Sequence, residues 1–171
     1  MEEIVPATEQ PFMTCGEVAK NATFDIVNKR YILSFDVELE NPDQGRVGVV
    51  FSSADSYENA CEWQLQLDRK RAQFADGVAG GFAKDERTLR EGGDVSGVRN
   101  YAISDPCLAK KTVSVRMAVD GNDKLCGTLL DVEINGERTM ISYRPNLQVE
   151  KLSFNCEKAT VKNLRVAEFV E

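Results

Sequence analysis

The sequence predicts a single all-β domain, a two-sheet antiparallel jelly-roll sandwich, and three observations carry that expectation. Apolar residues alternate at period two in segment after segment, the pattern of a strand with one face buried and one wet. Amphipathic helical text is almost absent, and clusters of Gly, Pro, Asn and Asp punctuate the strands. The 171 residues fit one domain, large enough to hide about 70% of its unfolded surface and build a core without metal or disulfide staples. One-sided alternation requires two antiparallel sheets packed face to face.

Residues 1–20 read as an N-terminal arm. In residues 30–39, Tyr31, Leu33, Phe35, Val37 and Leu39 share one face against Asp36 and Glu38. Asn41-Pro42-Asp43-Gln44-Gly45 makes a turn, and Val47, Val49 and Phe51 begin a second strand, expected to form a hairpin with the first. Trp63, Leu65 and Leu67 mark a third strand, and residues 72–74 a short fourth. Residues 75–107 change character: glycines and scattered charges leave room only for a turn or two of helix at 85–91. A loop segment this long is unusual inside a compact domain and tends to be functional or mobile.

Regular text resumes at Val113, Val115, Met117 and Val119, followed by Leu130, Val132 and Ile134. Asn135-Gly136 then predicts a type I′ hairpin, returning through Thr139, Ile141 and Tyr143. Residues 152–156 and 159–169 close the chain, with an apolar step that slips between Val161 and Leu164 and so predicts a β-bulge. The count is nine or ten strands. The expected inward set is Leu33, Phe35, Val37, Val49, Trp63, Leu65, Val115, Met117, Val132, Ile134, Phe154 and Val166.

Composition narrows the function. A net charge of −7 without a basic stripe argues against nucleic acid and anionic membrane as partners. No apolar run of about 20 residues is present to span a bilayer. The absence of histidine removes Ser-His-Asp and Cys-His catalysis, imidazole bases and imidazole metal ligands together. Carboxylate chemistry, a lysine base, or no chemistry remains. Cys61 and Cys156 keep step with apolar neighbours and read as small buried hydrophobes, whereas Cys107 and Cys126 lie in loop text where a disulfide between them is conceivable. The opening Met1-Glu2-Glu3-Ile4-Val5-Pro6 lacks signal-peptide character. Two readings stand: a cytoplasmic protein, or a piece of a longer secreted or periplasmic chain.

The last third carries recognisable text. Val113-Ser114-Val115-Arg116-Met117-Ala118-Val119-Asp120, Leu130-Asp131-Val132-Glu133-Ile134-Asn135-Gly136, Tyr143-Arg144-Pro145, Leu152-Ser153-Phe154 and residues 159–166 follow in order. This resembles concanavalin A-like sandwiches and, within them, the C-terminal module of glycoside hydrolase family 32, including modules appended to bacterial enzymes of that family. Asp131 and Glu133 stand where the family has Glu and Phe, and residues 121–128 form an insert. The resemblance implies the non-catalytic half of a fructan- or sucrose-cleaving enzyme, because the catalytic motifs of that family lie in a separate propeller and none is present here.

Candidate sites follow. Asp131 with Glu133, and Asp36 with Glu38, sit two apart on strands, about 6.5–7 Å between Cα atoms, near the spacing of glycosidase carboxyl pairs. Both pairs lie opposite an apolar face, which is also how a solvated strand surface is written. Tyr57, in an exposed loop, and Trp63 are the aromatics suited to stack on a sugar, although Trp63 shares its face with Leu65 and Leu67. Asp120, Asn122 and Asp123 form an oxygen-rich loop without the EF-hand spacing, so no metal and no cofactor are assigned. Phe82, Tyr101 and Ile103 are the expected anchors of an interface with a catalytic domain. The reading is an accessory, carbohydrate-associated module that packs on that domain and contacts oligo- or polysaccharide. Its alternatives are a free-standing carboxylate hydrolase, with Glu62 paired to another acid, and a protein-interaction sandwich.

Overall fold

The computed structural model describes residues 2–5, 13–15, 20–26, 29–41, 43–82, 100–102, 111–122, 124 and 126–168. Among them the chain forms thirteen strands: β1 (Glu2–Val5), β2 (Met13–Cys15), β3 (Lys20–Asp25), β4 (Arg30–Glu38), β5 (Arg46–Ser52), β6 (Cys61–Gln66), β7 (Arg71–Asp76), β8 (Asn100–Ala102), β9 (Thr112–Asn122), β10 (Gly127–Ile134), β11 (Glu137–Pro145), β12 (Lys151–Glu157) and β13 (Ala159–Glu168). One sheet, which we call the front sheet, has the order β3-β12-β5-β6-β7-β8. The back sheet runs β1-β13-β4-β9-β10-β11, with β2 also paired to β13. Every pairing is antiparallel.

The two sheets bury their facing rows against each other, and every residue of the expected inward set lies in this core. Its centre is aromatic. Phe35 of the back sheet meets Trp63 edge-on at 6.3 Å and Phe154 at 5.4 Å, both in the front sheet. Edge-to-face packing of this kind adds to simple burial because ring edges and faces carry opposite partial charge.

Local expectations hold where the turn chemistry is explicit. Asn135 and Gly136 take φ of 51° and 81° and join β10 to β11, as a type I′ turn requires. The β4–β13 register slips between Lys162 and Arg165, with Asn163 at φ 52°, which is the bulge expected in the last strand.

Four expectations change. The segments 30–39 and 47–51 do not form a hairpin: β4 belongs to the back sheet and β5 to the front. Both have buried inward faces, so alternation alone does not reveal that the turn between them crosses the sandwich. The 1–20 arm contributes β1 and β2, which extend β13. Within the segment 75–107, residues 100–102 add a strand to β7, while the 85–91 helix lies outside the described residues. Finally, Cys156 is not a free hydrophobe but is disulfide-bonded to Cys15. It faces the core as its alternation demanded, and Cys15 on β2 meets it there. Cys126 is exposed, and its conceivable partner Cys107 lies outside the described residues.

Candidate functional site

The outer faces of the two sheets are written in different chemistry. On the back sheet the outward residues are charged and locally paired: Arg116 with Glu133 at 3.4 Å, Lys162 with Glu38, and Asn163 donating to Asp36 at 2.7 Å. The carboxylate pairs singled out from the sequence therefore sit on a half-exposed surface among their own partners. That arrangement suits a solvated face: a surface pocket of about 340 Å³ does lie between Asp36, Arg116 and Glu133, but its two acids are already engaged by Asn163 and Arg116.

The front sheet is different. Its middle outward positions are mostly neutral amides and hydroxyls, with charged residues towards the turn end, and the strand registers line them up in rows. Asn21, Asn155, Gly48, Gln64 and Gln73 are successive neighbours across β3, β12, β5, β6 and β7. A second row runs Thr23, Ser153, Val50 and Glu62; a third runs Glu157, Arg46, Gln66 and Arg71. Hydrogen bonds knit these rows. Asn21 donates to Asn155 at 2.7 Å, Gln73 and Gln66 both donate to Gln64 Oε1 at 3.1 and 2.8 Å, and Arg71 donates to Gln66 at 2.6 Å. Thr23 and Ser153 hydroxyls meet at 3.1 Å.

Glu62, Gln64, Gln66, Gln73, Ser153 and Asn155 are buried although they point away from the core. Part of their cover is the chain itself, where residues 77–82 cross the face. The Asn155 amide donates to the Gly81 carbonyl at 3.0 Å. Gly48 leaves a gap in the amide row, and the Phe82 ring fills it, 3.2 Å from where a Cβ would stand. The Arg46 guanidinium lies over the same ring, 4.1 Å from its centroid, in cation–π contact.

At the turn end of this face the third row opens into a cleft of about 320 Å³, lined by Gln44, Gly45, Arg46, Gln66, Asp68, Arg69, Glu157 and Lys158. Its floor is three turns locked together. Gly45, at φ 94°, has no room for a side chain because a Cβ would stand 2.5 Å from the Lys158 carbonyl. Its own carbonyl accepts from Leu67 N–H at 3.0 Å. A larger cavity of about 420 Å³ lies elsewhere, lined by residues that include Lys29, Cys126, Thr128, Asn146, Leu147 and Glu150.

The residues predicted as functional are scattered. Trp63 is fully buried in the aromatic centre, so it is a core residue and not a sugar platform; its shared face with Leu65 and Leu67 decides this. Tyr57 is 39% exposed on the β5–β6 loop, and Tyr143 is 44% exposed on β11. Phe82 spends its ring on its own sheet, so what it anchors first is residues 77–82. For Tyr101 the structure describes only the backbone within β8, and Ile103 lies outside the described residues. Asp120 pairs with Arg30 at 3.1 Å, while Asp123 lies outside the described residues.

What the sequence reading passed over is the amide row. A signal existed: Gln64, Gln66, Gln73, Ser153 and Asn155 stand in the outward phase of their strands, with Arg71, Lys151 and Glu157 in that phase only at strand ends. Outward positions that merely face water, as on the back sheet, carry charges.

The architecture places the chain among all-β two-sheet sandwiches of the lectin-like kind. Comparison with solved structures agrees. Sheep galectin-11 superposes with a TM-score of 0.53 at 9% identity, covering 90% of this chain and 99% of the galectin. A fructofuranosidase from Schwanniomyces occidentalis gives 0.63 at 6% identity over 98% of this chain but only 34% of its own. The carbohydrate-binding module CBM66 of Bacillus subtilis gives 0.51 at 9% identity, over 91% and 84%. At such identities the likeness is one of fold, and this chain spans about a third of the fructofuranosidase. No family model and no curated protein sequence matches the chain.

Proposed function

We propose that this sandwich is a non-catalytic, carbohydrate-associated module of a longer glycoside hydrolase, related to the C-terminal module of family 32 enzymes. The observation that carries the reading is the front sheet's outer face. Its carboxamides and hydroxyls are the complement of a sugar's hydroxyls, and where the third row opens into the turn-end cleft, beside Gln44 and Gln66, fixed polar groups of this kind orient a ligand. Residues 77–82 lie over part of the face, so the turn-end cleft is where a glycan gains direct access. Likeness to a fructofuranosidase over a third of its chain, and to a carbohydrate-binding module over most of its chain, supports the reading. Packing on a catalytic domain belongs to the same proposal, and the Cys15–Cys156 disulfide favours a secreted or periplasmic setting over a reducing cytosol.

The test is calorimetric titration of the 171-residue chain with inulin, levan and β-glucans, alongside a hydrolysis assay at high protein concentration. Binding without turnover is expected. Turnover that disappears in Glu62→Gln or Asp131→Asn would instead make the chain a carboxylate hydrolase.

A further inference from the structure

The turn-end cleft has a chemistry of its own, centred on Arg46. Its Nε donates to Glu157 at 2.9 Å, and its guanidinium carbon lies over the Phe82 ring, 4.1 Å from the centroid. Two contacts therefore fix the guanidinium in position and orientation. Among the described residues its two terminal nitrogens bond to nothing, and the side chain is 37% exposed. A guanidinium held this way is a preorganised fork, and its geometry matches the two oxygens of a carboxylate. Because the side chain is already immobilised, little further entropy is lost when a ligand docks.

The rest of the lining decides which carboxylate. Lys158, without an ion pair among the described residues, and Arg69 add a second and a third cation. Against these stand two acids, Glu157, already engaged with Arg46, and the exposed Asp68, so that the lining keeps a single net positive charge. A multiply charged oxyanion would be repelled by Asp68. A singly charged carboxylate flanked by hydroxyls would not, since its hydroxyls donate to Asp68 while the Gln44 amide both donates and accepts. At about 320 Å³ the cleft is of small-ligand size.

We propose that this cleft binds a uronic acid residue of an acidic oligosaccharide, with the Arg46 fork on the sugar carboxylate, Lys158 beside it, and Asp68 and Gln44 on the ring hydroxyls. The inference rests on the carbohydrate-module reading and names the class of sugar. A mixed-charge cleft in a chain of net charge −7 selects for the group that the chain as a whole repels, so local geometry and not global attraction drives recognition.

Calorimetric titration of the 171-residue chain with tetragalacturonate and with its carboxyl-reduced, neutral counterpart tests this. The acidic oligomer is expected to bind at least roughly tenfold more tightly, with an advantage that shrinks as salt rises. Arg46→Lys, which keeps the charge and loses the fork, should erase most of the discrimination. If Arg46→Lys proves unfolded by circular dichroism, Lys158→Gln on the exposed turn carries the test and should weaken only the acidic oligomer. Equal binding of both oligomers overturns the uronate assignment and leaves the carbohydrate module standing. Failure of these and of the neutral glycans above overturns both. Acetate competing at the oligomer's own affinity shows that the cleft takes carboxylates without reading the sugar, and overturns the saccharide assignment.

Discussion

Trp63 is the residue on which the core should depend most, since its indole is fully buried between the sheets and packs on Phe35. Trp63→Ala should cost about 3–5 kcal/mol in chemical denaturation; a loss below about 1 kcal/mol would mean that the ring is not central. Cys61 makes a prediction about pH. Burial pushes its thiol up to about 11, only partly offset by the Arg144 guanidinium beside it. An unfolded thiol titrates near 9, so the unfolded chain releases this proton first. The stability Cys61 contributes is whole below about pH 9 and is lost as pH rises through 11, by roughly 2–3 kcal/mol. Wild type should therefore lose more stability than Cys61→Ala between about pH 8 and pH 11, and parallel urea midpoints would refute this. Single residues were unevenly legible. Periodicity placed Trp63 on an inward face, but it cannot say that an outward Asn155 will be met by the chain's own Gly81, because that cover comes from a segment with no periodicity of its own.

At the scale of elements, two of the six passages between the sheets, after β4 and after β12, touch at Gly45 and Lys158. Gly45→Ala should destabilise by more than the roughly 1 kcal/mol of an ordinary left-handed glycine, because backbone strain and a clash with a carbonyl act together. Thermal melts of Gly45→Ala and Gly136→Ala make the comparison, since Gly136 shares the positive φ but has open space around it; equal losses would remove the clash from the account. These elements also show what sequence can carry. The type I′ turn and the β13 bulge were legible because each is written within a few residues. The sheet to which β5 belongs was not, because a sandwich gives both sheets the same alternation. The Cys15–Cys156 pairing was equally hidden, as nothing local marks partners 141 residues apart.

Taken as a whole, the molecule is β throughout its described residues, and its far-UV circular dichroism should show strand signal with little helix. Helix above roughly a fifth of residues would contradict the fold. Its two outer surfaces divide the work: a charged, locally neutralised back and an amide-lined front. If the module docks on a catalytic domain, hydrogen exchange at residues 77–82 should slow in the longer enzyme relative to the isolated chain. Equal rates would remove this segment as the contact and leave Phe82 solely as its anchor. The fold class was legible because it depends on summed alternation. The candidate face was only half legible, because it depends on which sheet's outer surface is covered.

The disulfide has a mechanical consequence. Cys15 and Cys156 enclose most of the chain in one covalent loop, leaving roughly 30 of 171 residues outside it. A force applied to the two ends therefore strips β1 and β13 from the back sheet and then runs through the sulfur–sulfur bond, bypassing the strands inside the loop. In a single-molecule stretch, the oxidised chain should yield only about 100 Å of contour length from those outer residues, and the reduced chain several-fold more. The front-sheet strands β3, β5, β6, β7 and β8 lie inside the loop and would stay folded and unloaded while tension passed through the disulfide.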